Sequence, residues 1–214
     1  EQALLWAMVG TVANSAFIGY PVLLPLIGPQ AGIALAMCML VENMVMIPFC
    51  LALLDGLAGR SGWRTTLRHT GVSLLRNPML IAIVLGGAVG LLQWTLPAVL
   101  QRVLQMLAAV ASPVALFVIG GSLVGLQVRG LLRPASELAA LKLLVHPLAV
   151  LLMLWMLPPL EPNMRSAALV IAAMPMASIV PVLGQRYGAG DFLSAVLMLA
   201  TLASFGSLTL WLML

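Results

Sequence analysis

The chain has 214 residues, 63% of them hydrophobic and 7% charged, with a net charge of +4. A soluble domain carries roughly 25% charged residues, so a water-soluble globular fold is excluded. Apolar runs without period-two alternation exclude a β-barrel as well, which leaves an all-α polytopic membrane protein. The positive balance reads as topology-setting Arg residues in loops, so the lipid bilayer is an expected partner and nucleic acid is not.

Charges and breaks divide the chain into seven expected spans, at about residues 4–27, 31–54, 78–96, 103–126, 138–157, 166–187 and 192–214. The first lies in an uncharged stretch from Gln2 to Val41 that is long enough for two helices at about 20 residues each. Asn14-Ser15-Ala16-Phe17-Ile18-Gly19-Tyr20-Pro21 interrupts it, and the break is expected near Gly19-Tyr20-Pro21. Irregular backbone at membrane depth is tolerated only where protein or a watery cavity satisfies it, so the break is a candidate site. Cys38 and Cys50 fall in the second span as small packing residues, since both cannot serve a disulfide framework there. Glu42 is the one acid inside an otherwise apolar span, and it must face protein or water.

A basic loop with Arg60, Arg64, Arg68 and Arg76 follows. A second holds Arg129, Arg133 and Lys142, with Lys142 expected at a span end and snorkelling to the interface. If the spans alternate, both loops lie on one side, which the charge bias makes cytoplasmic. Gly86-Gly87-Gly90 and Gly120-Gly121-Gly125 predict close helix packing in the third and fourth spans. His146-Pro147 marks a kink in the fifth. The sixth span is interrupted at Met174-Pro175-Met176-Ala177-Ser178-Ile179-Val180-Pro181.

The two broken helices match at an offset of 160 residues, Pro21 with Pro181, Leu23 with Leu183 and Gly28 with Gly188. Five spans separate them, so the copies run in opposite directions, as in an inverted-topology repeat. On that reading residues 1–54 are the last two helices of a first repeat, residues 55–77 a basic cytoplasmic loop, and residues 78–214 a complete second five-helix repeat. Three further spans are then expected before Glu1, in a ten-helix whole.

Several stretches resemble the auxin efflux carrier family of secondary transporters. The residues Asn14 to Pro21 are similar to its first crossover motif. Arg76-Asn77-Pro78, Ala111 to Leu123, and Lys142 with His146-Pro147 resemble its sixth to eighth helices in order. Ala173 to Ser178, with Arg186-Tyr187-Gly188, resembles its second crossover. The resemblance implies two inverted five-helix repeats, elevator-type alternating access, a small organic anion as substrate, a bacterial inner (plasma) membrane location and a homodimer. This chain departs at Met176 and Ile179, where the family has a small hydroxyl residue and often Asn, so its second crossover is less polar.

The expected substrate site comprises Asn14, Ser15, Gly19, Pro21, Pro175, Ser178 and Pro181. Each second half-helix begins with N–H groups lacking intrahelical partners, a place for an anion. Asn14, Ser15 and Ser178 either bind substrate or cap the backbone. Pro21 and Pro181 hold the breaks open and Gly19 permits a tight turn. Glu42 and His146 are candidates for a coupling proton or cation, against a neutral Glu42 bonded to Asn43 or a neighbouring helix and a merely packed His146 kink. No cofactor or metal cluster is expected. The rival readings are a sodium-coupled bile-acid-type symporter, which wants more acidic or Asn/Gln ligands at the crossovers, a non-transporting membrane fragment, and an intramembrane enzyme, for which Ser178 with His146 is a weak candidate pair.

Overall fold

A computed structural model describes residues 2–57, 78–122 and 130–213, and all the elements in them are helical apart from one β-bridge. The basic loop with Arg60, Arg64, Arg68 and Arg76, together with Gly125 and Arg129, lies outside the described residues. In chain order the helices are α1 (Gln2–Thr11), α2 (Tyr20–Ile27), α3 (Gln30–Val41), α4 (Ile47–Leu57), α5 (Pro78–Leu91), α6 (Ala98–Ser122), α7 (Leu132–Ala140), α8 (His146–Met156), α9 (Pro162–Ala172), α10 (Ile179–Gln185) and α11 (Gly190–Leu212). Among the described residues, three continuous runs are long and apolar enough to cross a membrane: Gln30–Leu54, Leu132–Met156 and Gly190–Leu212.

Among the described residues three wide π-turns interrupt the helical path, at Ser15–Gly19, Glu42–Met46 and Leu141–Val145. Each ends two residues before a proline: Pro21, Pro48 and Pro147. A proline inside an α-helix lacks the N–H that would bond four residues back, and its ring clashes with that carbonyl. Widening the turn relieves the clash. The residue before each proline bonds five back instead: Tyr20 to Ser15, Ile47 to Glu42 and His146 to Leu141. The carbonyl that Pro147 cannot serve, Leu143 O, accepts the Trp211 indole N–H at 2.9 Å.

The first break therefore does not fall at Gly19-Tyr20-Pro21. It lies at Val12-Ala13-Asn14, and the chain is helical from Ser15 onward. Gly19 is right-handed helical, with φ −63° and ψ −49°, so it makes no tight turn. Pro21 sits in the first turn of α2, where the π-turn accommodates it, and its side chain is exposed. The second break falls where expected, between Ala172 and Ile179. Pro175 is inside that break, whereas Pro181 is buried within the first turn of α10. The half-helices α2 and α10 then run into Gly28 (φ 60°) and Gly188 (φ 72°), the glycines matched by sequence. Left-handed backbone of this kind favours glycine, which explains the shared residue.

The breaks cross and pair. Ala13 and Met176 form an antiparallel bridge, with Asn14 N donating to Pro175 O at 2.8 Å and Ala177 N to Val12 O at 3.1 Å. Two buried clusters meet there. One joins Val12 and Met176 with residues of α1, α4, α7 and α11, the other Ala13 and Met174 with residues of α2, α3 and α9.

Two further expectations are corrected. Lys142 does not snorkel; its side chain is 0% exposed in the middle of the apolar run Leu132–Met156. The glycines Gly86, Gly87, Gly90 and Gly121 have nothing within 4 Å of an added Cβ, so the described residues make no close helix contact there. Cys50 is buried, Cys38 half-buried, and both are free thiols.

Candidate functional site

A break inside an apolar chain frees backbone polar groups that must find partners. At the first break the partner is a carboxyl. Glu42, at the start of the second π-turn, accepts the Ala13 N–H at Oε1 (2.8 Å) and the Ser15 hydroxyl at Oε2 (3.0 Å). The acid is 6% exposed and reaches back across the α2–α3 turn to do this. Asn43 donates to Met39 O. A carboxyl of the chain itself thus satisfies the freed Ala13 amide.

Asn14 and Ser178 meet. The Asn14 amide donates to Ser178 Oγ at 3.0 Å, and neither side chain caps the helix that follows it. Asn14 and Ser15 are buried, Ser178 half-buried. Pro175 lends its carbonyl to Asn14 N. Gly19 is a close approach: a Cβ there would meet Met174 Cγ at 3.4 Å and Asn14 O at 3.6 Å. The polar line from Glu42 through Ser15 and Asn14 to Ser178 runs through the crossing. Pro21, exposed on α2, is not part of it.

His146 joins a second cluster. Its Nδ1 lies 2.8 Å from Lys142 Nζ and 3.0 Å from Ala172 O, the carbonyl at the end of α9. Lys142 is within electrostatic reach of Glu42 and Cys38. A cavity of about 570 Å³ opens beside the crossing, lined by Ala13, Cys38, Glu42, His146 and a mostly apolar wall from α3, α8 and α9. Its size suits a small ligand, since such sites occupy ≈ 300–1,000 Å³. Both coupling candidates face it, whereas Asn14, Ser15 and Ser178 do not line it. Among the described residues no group of three His, Cys, Asp or Glu side chains could hold a metal.

The sequence did not point to Lys142 or Trp211. Lys142 was masked by its nearness to a basic loop. The signal for Trp211 would have been Pro147, whose missing N–H leaves a carbonyl in need of a donor.

Two interrupted helical paths, paired backbone to backbone at their breaks and embedded in apolar helices, fit a helical membrane protein. The particular family follows from comparison: a model described as "Membrane transport protein" matches residues 1–212, and the chain belongs to this family, that of the auxin efflux carriers. It is a family of transporters and not of enzymes. A "Putative malonate transporter" of Rhizobium meliloti is 28% identical over 214 residues, covering 97% of this chain and 66% of that protein. The "Uncharacterized transporter YfdV" of Escherichia coli K12 is 28% identical over 156 residues, covering 71% of this chain and 48% of that protein. The chain thus spans about half to two thirds of the length of these curated relatives.

Proposed function

We propose that the protein is a secondary carrier for a small organic anion of the dicarboxylate kind, malonate being the first to test. The observation that carries this reading is the crossing itself. Two broken helices exchange backbone hydrogen bonds at Ala13 and Met176, and Asn14 reaches Ser178 across them. Side chains that satisfy each other can also open to a ligand, and the adjacent cavity suits a molecule of this size. The R. meliloti relative's name supplies the substrate class.

On this reading the substrate is held by Asn14, Ser15 and Ser178 at the crossing, with Gly19, Pro175 and Pro181 shaping the backbone around them. Pro21 acts through the π-turn before it. Glu42 and His146 serve coupling to a proton or cation. The shared layout of break, half-helix and left-handed glycine supports an inverted repeat. In elevator-type access α5 and α6 belong to a fixed scaffold and dimer surface, and the remaining helices move together. The basic loops face the cytoplasm, and the membrane is the bacterial inner membrane.

The test is counterflow of radiolabelled malonate into proteoliposomes holding the full-length protein. Saturable uptake that unlabelled malonate competes away is expected. Uptake equal to that of empty liposomes, for malonate and for related dicarboxylates, would overturn the reading.

A further inference from the structure

Lys142 is the buried group that the proposed substrate site leaves unused. It is 0% exposed and heads the fully buried side chains by volume. An ammonium has three N–H donors. The hydrogen bond it makes is to His146 Nδ1, at 2.8 Å. A sealed ammonium with one acceptor is more costly than a neutral amine in the same place.

The surroundings of the pair restrict what can charge it. Among the described residues, Glu42 and Cys38, on the facing α3–α4 path, are with His146 itself the titratable groups within electrostatic reach of Lys142. The sequence of α1 carries none. On α7, Arg133 and Glu137 pair with each other on the exposed surface. Asp191 lies at the exposed start of α11, and that helix meets the turn with the Trp211 indole instead. Arg165 is at the exposed start of α9, which reaches His146 through the Ala172 carbonyl.

His146 Nδ1 has two neighbours with opposite demands. A bare Nδ1 accepts from the Lys142 ammonium and leaves the Ala172 carbonyl without its donor. A protonated Nδ1 donates to Ala172 O and cannot accept from Lys142. One nitrogen cannot do both. The imidazole also lines the cavity that Lys142 does not reach. With Nδ1 engaged by Lys142 and Ala172, Nε2 is the ring nitrogen left for the cavity side.

We propose that Lys142 is a proton-binding site of this carrier, loaded and emptied through His146, which relays the proton between the buried amine and the cavity. The inference rests on the transport reading and deepens it. In loading, a proton from the cavity adds to His146 Nε2, and the Nδ1 proton passes to the lone pair of the Lys142 amine. The imidazole ends neutral and the amine becomes ammonium. Emptying reverses both transfers. Only N–H bonds form and break, and no redox partner is needed. Because Ala172 O closes α9 at the second break, the proton load decides whether that carbonyl is bonded.

The experiment uses full-length protein in proteoliposomes with radiolabelled malonate as probe, in two modes: exchange at equal concentrations, and net uptake under an imposed gradient of about one pH unit. The gradient is expected to raise accumulation by the parent by up to about tenfold. Lys142→Arg, a cation that does not release its proton, and Lys142→Met, which cannot take one up, should keep exchange within about threefold and lose the gradient response. Gradient stimulation equal to the parent's in either variant overturns the proposal. So does joint loss of exchange and uptake in both, which would make Lys142 a structural group. A parent that exchanges malonate without responding to the gradient overturns it too, while leaving the transport reading intact. A parent that exchanges no malonate refutes that substrate instead. The proton site is then decided by nitrogen NMR of the imidazole in a His69→Asn background, with the His146 signal assigned by its loss in His146→Asn. A pH-dependent Nδ1 signal that Lys142→Met abolishes upholds the site, and an identical signal in both proteins overturns it.

Discussion

Glu42 shows how one side chain resolves the main difficulty of a broken helix. An isolated carboxyl at the bilayer centre costs about 3 kcal/mol on insertion scales. Here it takes two hydrogen bonds from the break, one of them from the buried Ala13 amide. Removing the acceptor leaves that amide unsatisfied, at about 1–3 kcal/mol. Glu42→Ala should therefore lower thermal stability in detergent by about that amount, while Glu42→Gln, which keeps an acceptor for Ala13, should cost less than about 1 kcal/mol. Equal loss in the two variants would mean that the Ala13 bond is not what matters. Asn14, Ser15 and Ser178 stood out in the sequence as polar residues at interruptions in apolar runs, and the structure joins Asn14 to Ser178 and Ser15 to Glu42. Lys142 did not, because a long cationic side chain near a basic loop has the same sequence signature whether it snorkels or is buried.

At the level of elements, proline placement controls the path of the chain. Each of the three π-turns precedes a proline by a fixed spacing, so the prolines bend rather than end their helices. The first break therefore lies several residues before the residues that resemble breakers. Gly19 and Pro21 look like breakers, yet a widened turn absorbs Pro21, and the true break lies before Ser15. The second break was legible because Pro175 falls in the irregular segment itself, where the residue before a proline is steered away from helix. The Leu143 carbonyl that Pro147 leaves unpaired is served by Trp211. Trp211→Phe keeps the ring and removes the donor, and is expected to cost about 1–3 kcal/mol. A double variant, Trp211→Phe with Pro147→Ala, should recover part of the loss, because alanine restores a backbone donor. Thermal unfolding of the four proteins measures this, and strictly additive losses would contradict the pairing.

Across the whole molecule, apolar side chains cover much of the surface: Leu91 is 88% exposed, Phe117 82% and Trp155 71%. Such an exterior is ordinary for a protein in lipid and would be an aggregation surface in water. The membrane class was legible from composition alone, since 63% hydrophobic content leaves no other solution. The backbone pairing of the two breaks was not legible, because no local pattern encodes which distant segments meet. Charge bias sets the expected orientation, with the loop bearing Arg60 to Arg76 on the cytoplasmic side. In a Cys38→Ala, Cys50→Ala background, Arg64→Cys should react with an impermeant maleimide in inside-out vesicles and not in right-side-out ones; the reverse pattern would invert the topology.

The central claim, that the crossing of the two breaks is where an organic anion is handled, is tested most directly by malonate exchange in a four-way comparison. The proteins are the parent, Asn14→Ala, Ser178→Ala and the double variant, each reconstituted at equal folded amount. Because the two side chains share one hydrogen bond, each single change should reduce exchange by at least about tenfold and the double change should add little more. Parental exchange after Asn14→Ala, with the protein folded, would contradict the account.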